Sequence, residues 1–220
     1  MSTPTPAKPS YYRWPIRVLA VLLVAIVVYR FSNETPSPEQ GHISTDLPKI
    51  REVPAFTLTE RSGKTISNRD LAGKIWVADF VYSTCPGPCP VITANLAKIQ
   101  AAVANDPRVQ LVTFTVDPKI DTPSVLAAYA DKYGADKDRW WFLTGPEKPM
   151  YELIQNGFLQ TVEDNRGKPV EPGQFTVTHS TYFVLVDAKG WIRNSYDGVD
   201  ADGREDLLKG IKILEKEEKP

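Results

Sequence analysis

Cys85 and Cys89 are the only cysteines in a chain of 220 residues. They stand in Val81-Tyr82-Ser83-Thr84-Cys85-Pro86-Gly87-Pro88-Cys89-Pro90, at the end of the apolar run IWVADFV, which reads as a buried strand. Two thiols held close where a strand stops and a helix starts can do two things. They can exchange electrons as a dithiol/disulfide, or hold a soft metal ion as thiolates. A redox C-x-x-C keeps its thiols on adjacent helical turns, and the helix N-terminus favours the thiolate of the first. Here one more residue intervenes. Pro86, Gly87 and Pro88 preclude a regular helix between the sulfurs, because Pro88 lacks an N–H and disfavours helix at Gly87. The segment reads as a loop folding back on itself, with Cys89 at a helix start and both sulfurs able to face a common point. A disulfide within the loop is also geometrically open. A pair of inert core thiols fits a Pro/Gly loop poorly, and an exported domain would oxidise an idle close pair.

A metal site needs a third ligand, and histidine is scarce: His42 and His179 are the only two. His42 lies in the polar stretch NETPSPEQGHISTDLP and reads as a solvated side chain. His179, in Thr178-His179-Ser180, follows a Gly/Pro-containing loop and precedes the strand pattern YFVLV. A lone histidine at a strand entry is commonly structural, but this loop can bring it to the edge of a sheet. Two thiolates and one imidazole suit Cu(I) and can hold Cu(II). The same set can hold Zn²⁺ with an open position. Softness favours copper, and no acid/base arrangement typical of a zinc hydrolase accompanies the set.

The elements that must position these residues follow from hydrophobic period and turn chemistry. Residues 56–59 alternate as a strand, 61–64 are a turn, and 65–67 a return strand. Asn68 and Asp70 open a short helical turn ending near Gly73. The strand 75–81 leads into the cysteine loop, and Pro90 suits a first helical position. That helix stops at Asn105-Asp106-Pro107. Residues 109–116 are a second buried strand. Thr122 and Pro123 are good N-cap and N1 residues for a helix ended by Gly134. A short strand at 140–143, a helix at 146–156, a loop at 165–173, a hairpin of 182–186 with 191–196 and a last helix from about Gly203 complete the order. The charged tail 215–219 reads as a frayed end. Strands alternating with helices imply an α/β fold with a mixed sheet flanked by helices, a thioredoxin-like sandwich. Cys85 falls at the C-terminal end of the second long strand, and that edge is where open α/β sheets build sites.

Ahead of this domain, residues 1–13 read as a disordered head. Residues 14–31 carry the uncharged core VLAVLLVAIVVY, about a dozen residues against the roughly 20 that span a bilayer. Extension upstream through Tyr11, Tyr12, Trp14 and Ile16 reaches spanning length if Arg13 and Arg17 snorkel to the interface. Trp14 and Tyr29 would be the interfacial belt. A cleaved signal peptide is the rival reading, but no small-x-small site follows the core. The expectation is an N-terminal transmembrane helix. Lys8, Arg13 and Arg17 ahead of it keep the N-terminus in the cytoplasm and export the rest. Residues 32–50 read as a linker and 51–220 as the folded domain. A net charge of −1, with no basic run interleaved with aromatics, argues against nucleic acid.

The motifs DFVYSTCPGPCP, Val116-Asp117-Pro118 through Asp121-Thr122-Pro123, Leu143-Thr144-Gly145, Thr178-His179-Ser180 and Asp187-Ala188-Lys189-Gly190 together resemble the SCO/SenC family of copper-handling proteins, which assemble cytochrome c oxidase. The resemblance covers most of residues 53–197. It implies a thioredoxin-like domain tethered by one N-terminal helix, in a bacterial inner membrane with the domain in the periplasm, or facing the mitochondrial intermembrane space in a eukaryote. It implies copper as the bound metal, with Cys85, Cys89 and His179 as its ligands. It implies delivery to the dinuclear copper site of oxidase subunit II, with a copper donor protein upstream. The alternative it leaves is a thiol-disulfide oxidoreductase that keeps the partner's cysteines reduced through Cys85 and Cys89. Asp117 and Asp121 match acidic positions near the metal loop; from the residues alone, Asp121 is a turn or helix-entry residue. Gly87-Pro88 departs from the family, whose members often carry an acidic residue there. A peroxidase of the same fold would need an arginine beside its cysteine, and Arg61, Arg69 and Arg108 are not so placed.

Overall fold

A computed structural model describes residues 46–167 and 175–217, together with Val18, Leu19, Leu22, Leu23 and Tyr29, which are helical. The expected head, most of the 14–31 span and His42 lie outside the described residues, as does the expected loop from 168 to 173. Among the described residues, no helix is long and apolar enough to cross a membrane. The unit from Thr45 onward is compact.

Its frame is an eight-stranded sheet. In chain order the strands are β1 (Arg51–Glu52), β2 (Thr57–Glu60), β3 (Thr65–Ser67), β4 (Ile75–Val81), β5 (Val109–Thr115), β6 (Trp140–Thr144), β9 (Tyr182–Val186) and β10 (Trp191–Asp197), while β7 (Val162–Asp164) and β8 (Val177–His179) pair separately as a hairpin. The spatial order is β1-β10-β9-β4-β5-β6-β2-β3. β4, β5 and β6 are parallel, and the other pairings are antiparallel. Parallel neighbours need crossovers, and α1 (Cys89–Ala102) and α2 (Pro123–Lys132) supply them. Every residue of β4 and β5 is buried, which is why both read as nearly unbroken apolar runs. Trp76, Phe80, Phe114 and Phe158 pack edge-on and stacked on one face. On the other, Thr93 of α1 bonds the Tyr129 hydroxyl of α2 at 2.8 Å, and Tyr129 packs on Phe142. Thr122 Oγ1 caps α2 by accepting from the Val125 amide, as its sequence position predicts.

The structure departs from the sequence expectation at four places. β1 is two exposed residues, too short to carry a period. The segment read as a helix over 146–156 is α-helical only as α3 (Glu147–Glu152) and then widens into a π turn, Leu153–Gly157. His179 stands ahead of β9 as expected, yet is itself the last residue of a strand that was not expected, β8, opposite Val162. The tail is not wholly frayed: α4 (Ala201–Glu217) runs on to Glu217, which pairs with Arg193 at 2.8 Å.

Arg193 is buried with Asp187, whose carboxylate lies 3.2 Å away, and its Nε donates to the carbonyl of Leu47 at 2.9 Å. This guanidinium ties residues 46–48, expected within the linker, to the sheet. Removing one partner of a buried pair strands the other charge. Arg193→Ala is therefore expected to cost about 3–5 kcal/mol, read as a lowered urea midpoint, while Lys209→Ala in the exposed pair with Asp206 leaves it in place.

Candidate metal centre

The cysteine loop begins with a turn in which the Cys85 amide donates to the Tyr82 carbonyl at 3.2 Å. Asp121 holds this turn. Its buried carboxylate accepts from the Ser83 amide at 3.2 Å and from the hydroxyls of Ser83 and Thr115, so it ties the loop to the end of β5. Burial pushes its pKa up, against the lowering effect of those hydroxyls. Asp121 is thus a brace for the loop and Thr122 alone caps the helix, which refines the turn or helix-entry expectation. α1 starts at Cys89 with Pro88 as N-cap and Pro90 in its first turn, where a missing N–H costs nothing. Thr93 Oγ1 donates to the Cys89 carbonyl at 2.9 Å and fixes that first turn.

The third residue arrives on the β7–β8 hairpin. Arg166 grips Asp164 through two parallel bonds of 2.9 and 2.8 Å and reaches Asp117 at 3.0 Å, fastening the hairpin to the segment after β5. Asn165 braces it from within, its side-chain amide donating to Thr178 Oγ1 at 2.9 Å. Phe175 lies over the cysteine loop at Gly87: a Cβ there would stand 2.4 Å from the phenyl Cζ. The glycine that departs from the family pattern is what lets the ring sit down on the loop.

Together these elements bring Cys85, Cys89 and His179 into one cluster whose ligand atoms all lie within 4.8 Å of one another. Among the described residues it is the only such group of three or more. Asp117 and Asp121 are not part of it. Both cysteines are buried free thiols. His179 Nδ1 lies 2.8 Å from the Ser180 carbonyl, which can only accept, so Nδ1 carries the proton and the Nε2 lone pair is free. Nε2 stands 3.1 Å from Cys89 Sγ. The two thiols are driven apart in acidity. Donation from the Cys89 thiol, helped by the backbone amides of Cys89 and of Gly87, the latter at 3.4 Å, overcomes burial and brings Cys85 down to about 4. The Cys85 sulfur and burial push Cys89 strongly up. The lowered Cys85 and raised Cys89 favour one thiolate and one thiol at neutral pH.

Two side chains that sequence reasoning did not single out border the cluster. The Tyr82 ring meets the His179 imidazole edge-on, with centroids 5.7 Å apart at 85°. Asp79, on β4, is fully buried, and burial pushes it up to about 7, with hydrogen bonding from Thr113 opposing. Thr113 Oγ1 donates to it at 2.6 Å, and Trp140 Nε1 donates in turn to Thr113 at 2.8 Å. Its other oxygen has no hydrogen-bond partner among the described residues. The only available signal was an acid inside an otherwise apolar strand.

The sequence signature of SCO1/SenC matches residues 45–214. This chain belongs to the SCO1/SenC family. The SCO1 protein homolog of Bacillus subtilis is 32% identical over 163 residues, covering 73% of this chain and 81% of that protein. A SCO1/SenC family lipoprotein from Bacillus anthracis superposes with a TM-score of 0.67 at 34% identity, over 74% of this chain and 95% of the other. BsSco, a member of the Sco family of cytochrome c oxidase assembly proteins in which a disulfide switch was identified, superposes with a TM-score of 0.66 at 31% identity, over 77% and 97%. The mixed sheet and its helices are thus the thioredoxin-like architecture of the Sco structures.

Proposed function

We propose that this protein is a membrane-anchored copper metallochaperone serving the dinuclear copper site of cytochrome c oxidase subunit II. The observation that carries the reading is the convergence of two sulfurs and a histidine Nε2 whose tautomer is set by the Ser180 carbonyl. The donor set fits copper: two thiolates suit Cu(I), and the imidazole adds a ligand that Cu(II) accepts. Cys85, Cys89 and His179 would hold the ion. The loop brace at Asp121 and the hairpin clamp at Arg166 keep the three donors assembled. Family membership supports a role in oxidase assembly, which BsSco is described as having. In this reading residues 14–31 anchor the chain in the inner membrane, the domain stands in the periplasm, and copper arrives from a donor protein.

A second reading has a specific observation behind it. The lowered Cys85 and raised Cys89 are the division of labour of a thiol-disulfide reductase. The Cys85 thiolate would attack a partner disulfide and expel one partner thiolate. Cys89, giving up its proton, would then attack Cys85, leaving the partner as a dithiol and this chain as a disulfide. His179 has no part in that exchange. Redox state would also gate the first reading, because a disulfide offers no thiolate to copper. The reduced full-length protein is expected to retain about one copper per chain after gel filtration, and the disulfide form none, by metal analysis. Equal copper in both forms would overturn the assignment to the two sulfurs.

A further inference from the structure

Tyr82 is placed where it can act on the cysteines, and nothing so far gives its hydroxyl a role. The residue continues the face of β4 that carries Trp76 and Phe80, and its side chain is almost wholly buried. Phenylalanine would fill the same apolar space. Instead the buried hydroxyl has no hydrogen-bond partner in good geometry among the described residues. Such a group is costly to bury without a partner. Two polar groups neighbour it, the Cys85 sulfur and Thr176. The backbone of the same residue is already engaged with both cysteines: its carbonyl accepts from the Cys85 amide at 3.2 Å, and its amide is turned to Cys89 Sγ. The ring cannot swing away, because the His179 imidazole stands against it.

We propose that the Tyr82 hydroxyl is a hydrogen-bond donor to the Cys85 sulfur and sets how strongly that sulfur donates electrons to a bound soft metal. The copper form of this inference rests on the metallochaperone reading. A thiolate holds lone pairs in excess of its metal bond, and an O–H aimed at one of them withdraws charge from sulfur. This stabilises the reduced metal and raises the energy needed to move an electron from sulfur to Cu(II). Tyr82 is then a positioning and tuning residue, not a ligand: it acts on copper only through Cys85. Ser83 and Thr84 cannot substitute, since the Ser83 hydroxyl is committed to Asp121 and Thr84 is exposed.

The test compares full-length wild type with Tyr82→Phe, each reduced and loaded with one equivalent of Cu(II). The sulfur-to-copper charge-transfer band is expected to move to lower energy in Tyr82→Phe, and the bound Cu(II) to become harder to reduce, because the sulfur donates more strongly once the hydroxyl is gone. A chain carrying 3-fluorotyrosine, a stronger donor that keeps the side chain's shape, is expected to shift the band the opposite way. A fold-neutral Tyr82→Phe with an unmoved band overturns the proposal. If Tyr82→Phe does not fold, an unmoved band in the fluorotyrosine chain overturns it equally. If wild type takes up no copper, the copper reading fails, and Cd(II), a thiolate-seeking probe with its own sulfur-to-metal band, decides the hydrogen bond. A shift of that band in Tyr82→Phe upholds the hydrogen bond and no shift removes it.

Discussion

Alanine in place of Cys85 or Cys89 is expected to abolish copper binding, whereas His179→Ala keeps Cu(I) and loses Cu(II) by more than about 100-fold. The ordering follows from the donors. Each cysteine supplies one of only two thiolates in the cluster, and Cu(I) binding depends on them. The imidazole matters most to Cu(II), which prefers nitrogen to a purely soft set. Loss of an outer-shell partner alone typically costs 10–100-fold in affinity, so loss of a direct ligand should exceed that range. Competition against chelators selective for each oxidation state measures both affinities, and electron paramagnetic resonance reports nitrogen coordination in Cu(II). Undiminished Cu(II) affinity in His179→Ala would remove that residue from the site, and retention of both states by Cys85→Ala would remove the site itself. The acidities add an independent readout. With Cys85 lowered to about 4 and Cys89 pushed up, uptake of copper at neutral pH should release about one proton per ion, not two.

What the sequence made legible divides along a physical line. β4, β5 and the cysteine loop were readable because burial on both faces forces a run of apolar residues and because Pro86, Gly87 and Pro88 dictate local backbone. α2 was readable from Thr122 and Pro123. His179 was singled out by scarcity, yet its placement on β8 was not. The β7–β8 hairpin is two three-residue strands held by Arg166, Asp117 and Asn165. Contacts of that kind are polar, long in range and without period, so no window of sequence contains them. Asp121 shows the same limit from another side: its local setting, next to Thr122-Pro123, points to a helix entry, while its carboxylate serves Ser83, 38 residues earlier. Gly87 was visible as a departure from the family, but only the fold shows Phe175 in the space it leaves.

The second large effect concerns Asp79. Stability of the wild-type protein should fall by about 3 kcal/mol more than that of Asp79→Asn between pH 5 and pH 8. In the unfolded chain this carboxyl ionises near 3.9. In the folded protein burial raises it to about 7, because ionisation leaves a charge in an apolar interior with one hydroxyl donor and one bare oxygen. Between those two values the folded state holds a proton that the unfolded state has lost. Raising the pH through this window therefore favours unfolding, and above about 7 the penalty is complete. Two pH units inside the window, from 5 to 7, at 1.36 kcal/mol each give the figure. Asparagine has the same shape, can still accept from Thr113, and does not titrate. Cys89 stays protonated across this window in both proteins, and groups remote from Asp79 titrate alike and cancel, so urea unfolding of the two at pH 5 and pH 8 isolates this one carboxyl. Parallel pH slopes would show that Asp79 is not the proton-holding group. A carboxyl that weakens the fold at neutral pH also bears on the site above it, since its negative charge, when present, pushes the pKa of Cys89 further up. Asp79→Asn should then ease deprotonation of Cys89, and thiol alkylation of the reduced protein should quicken at a fixed pH near 8.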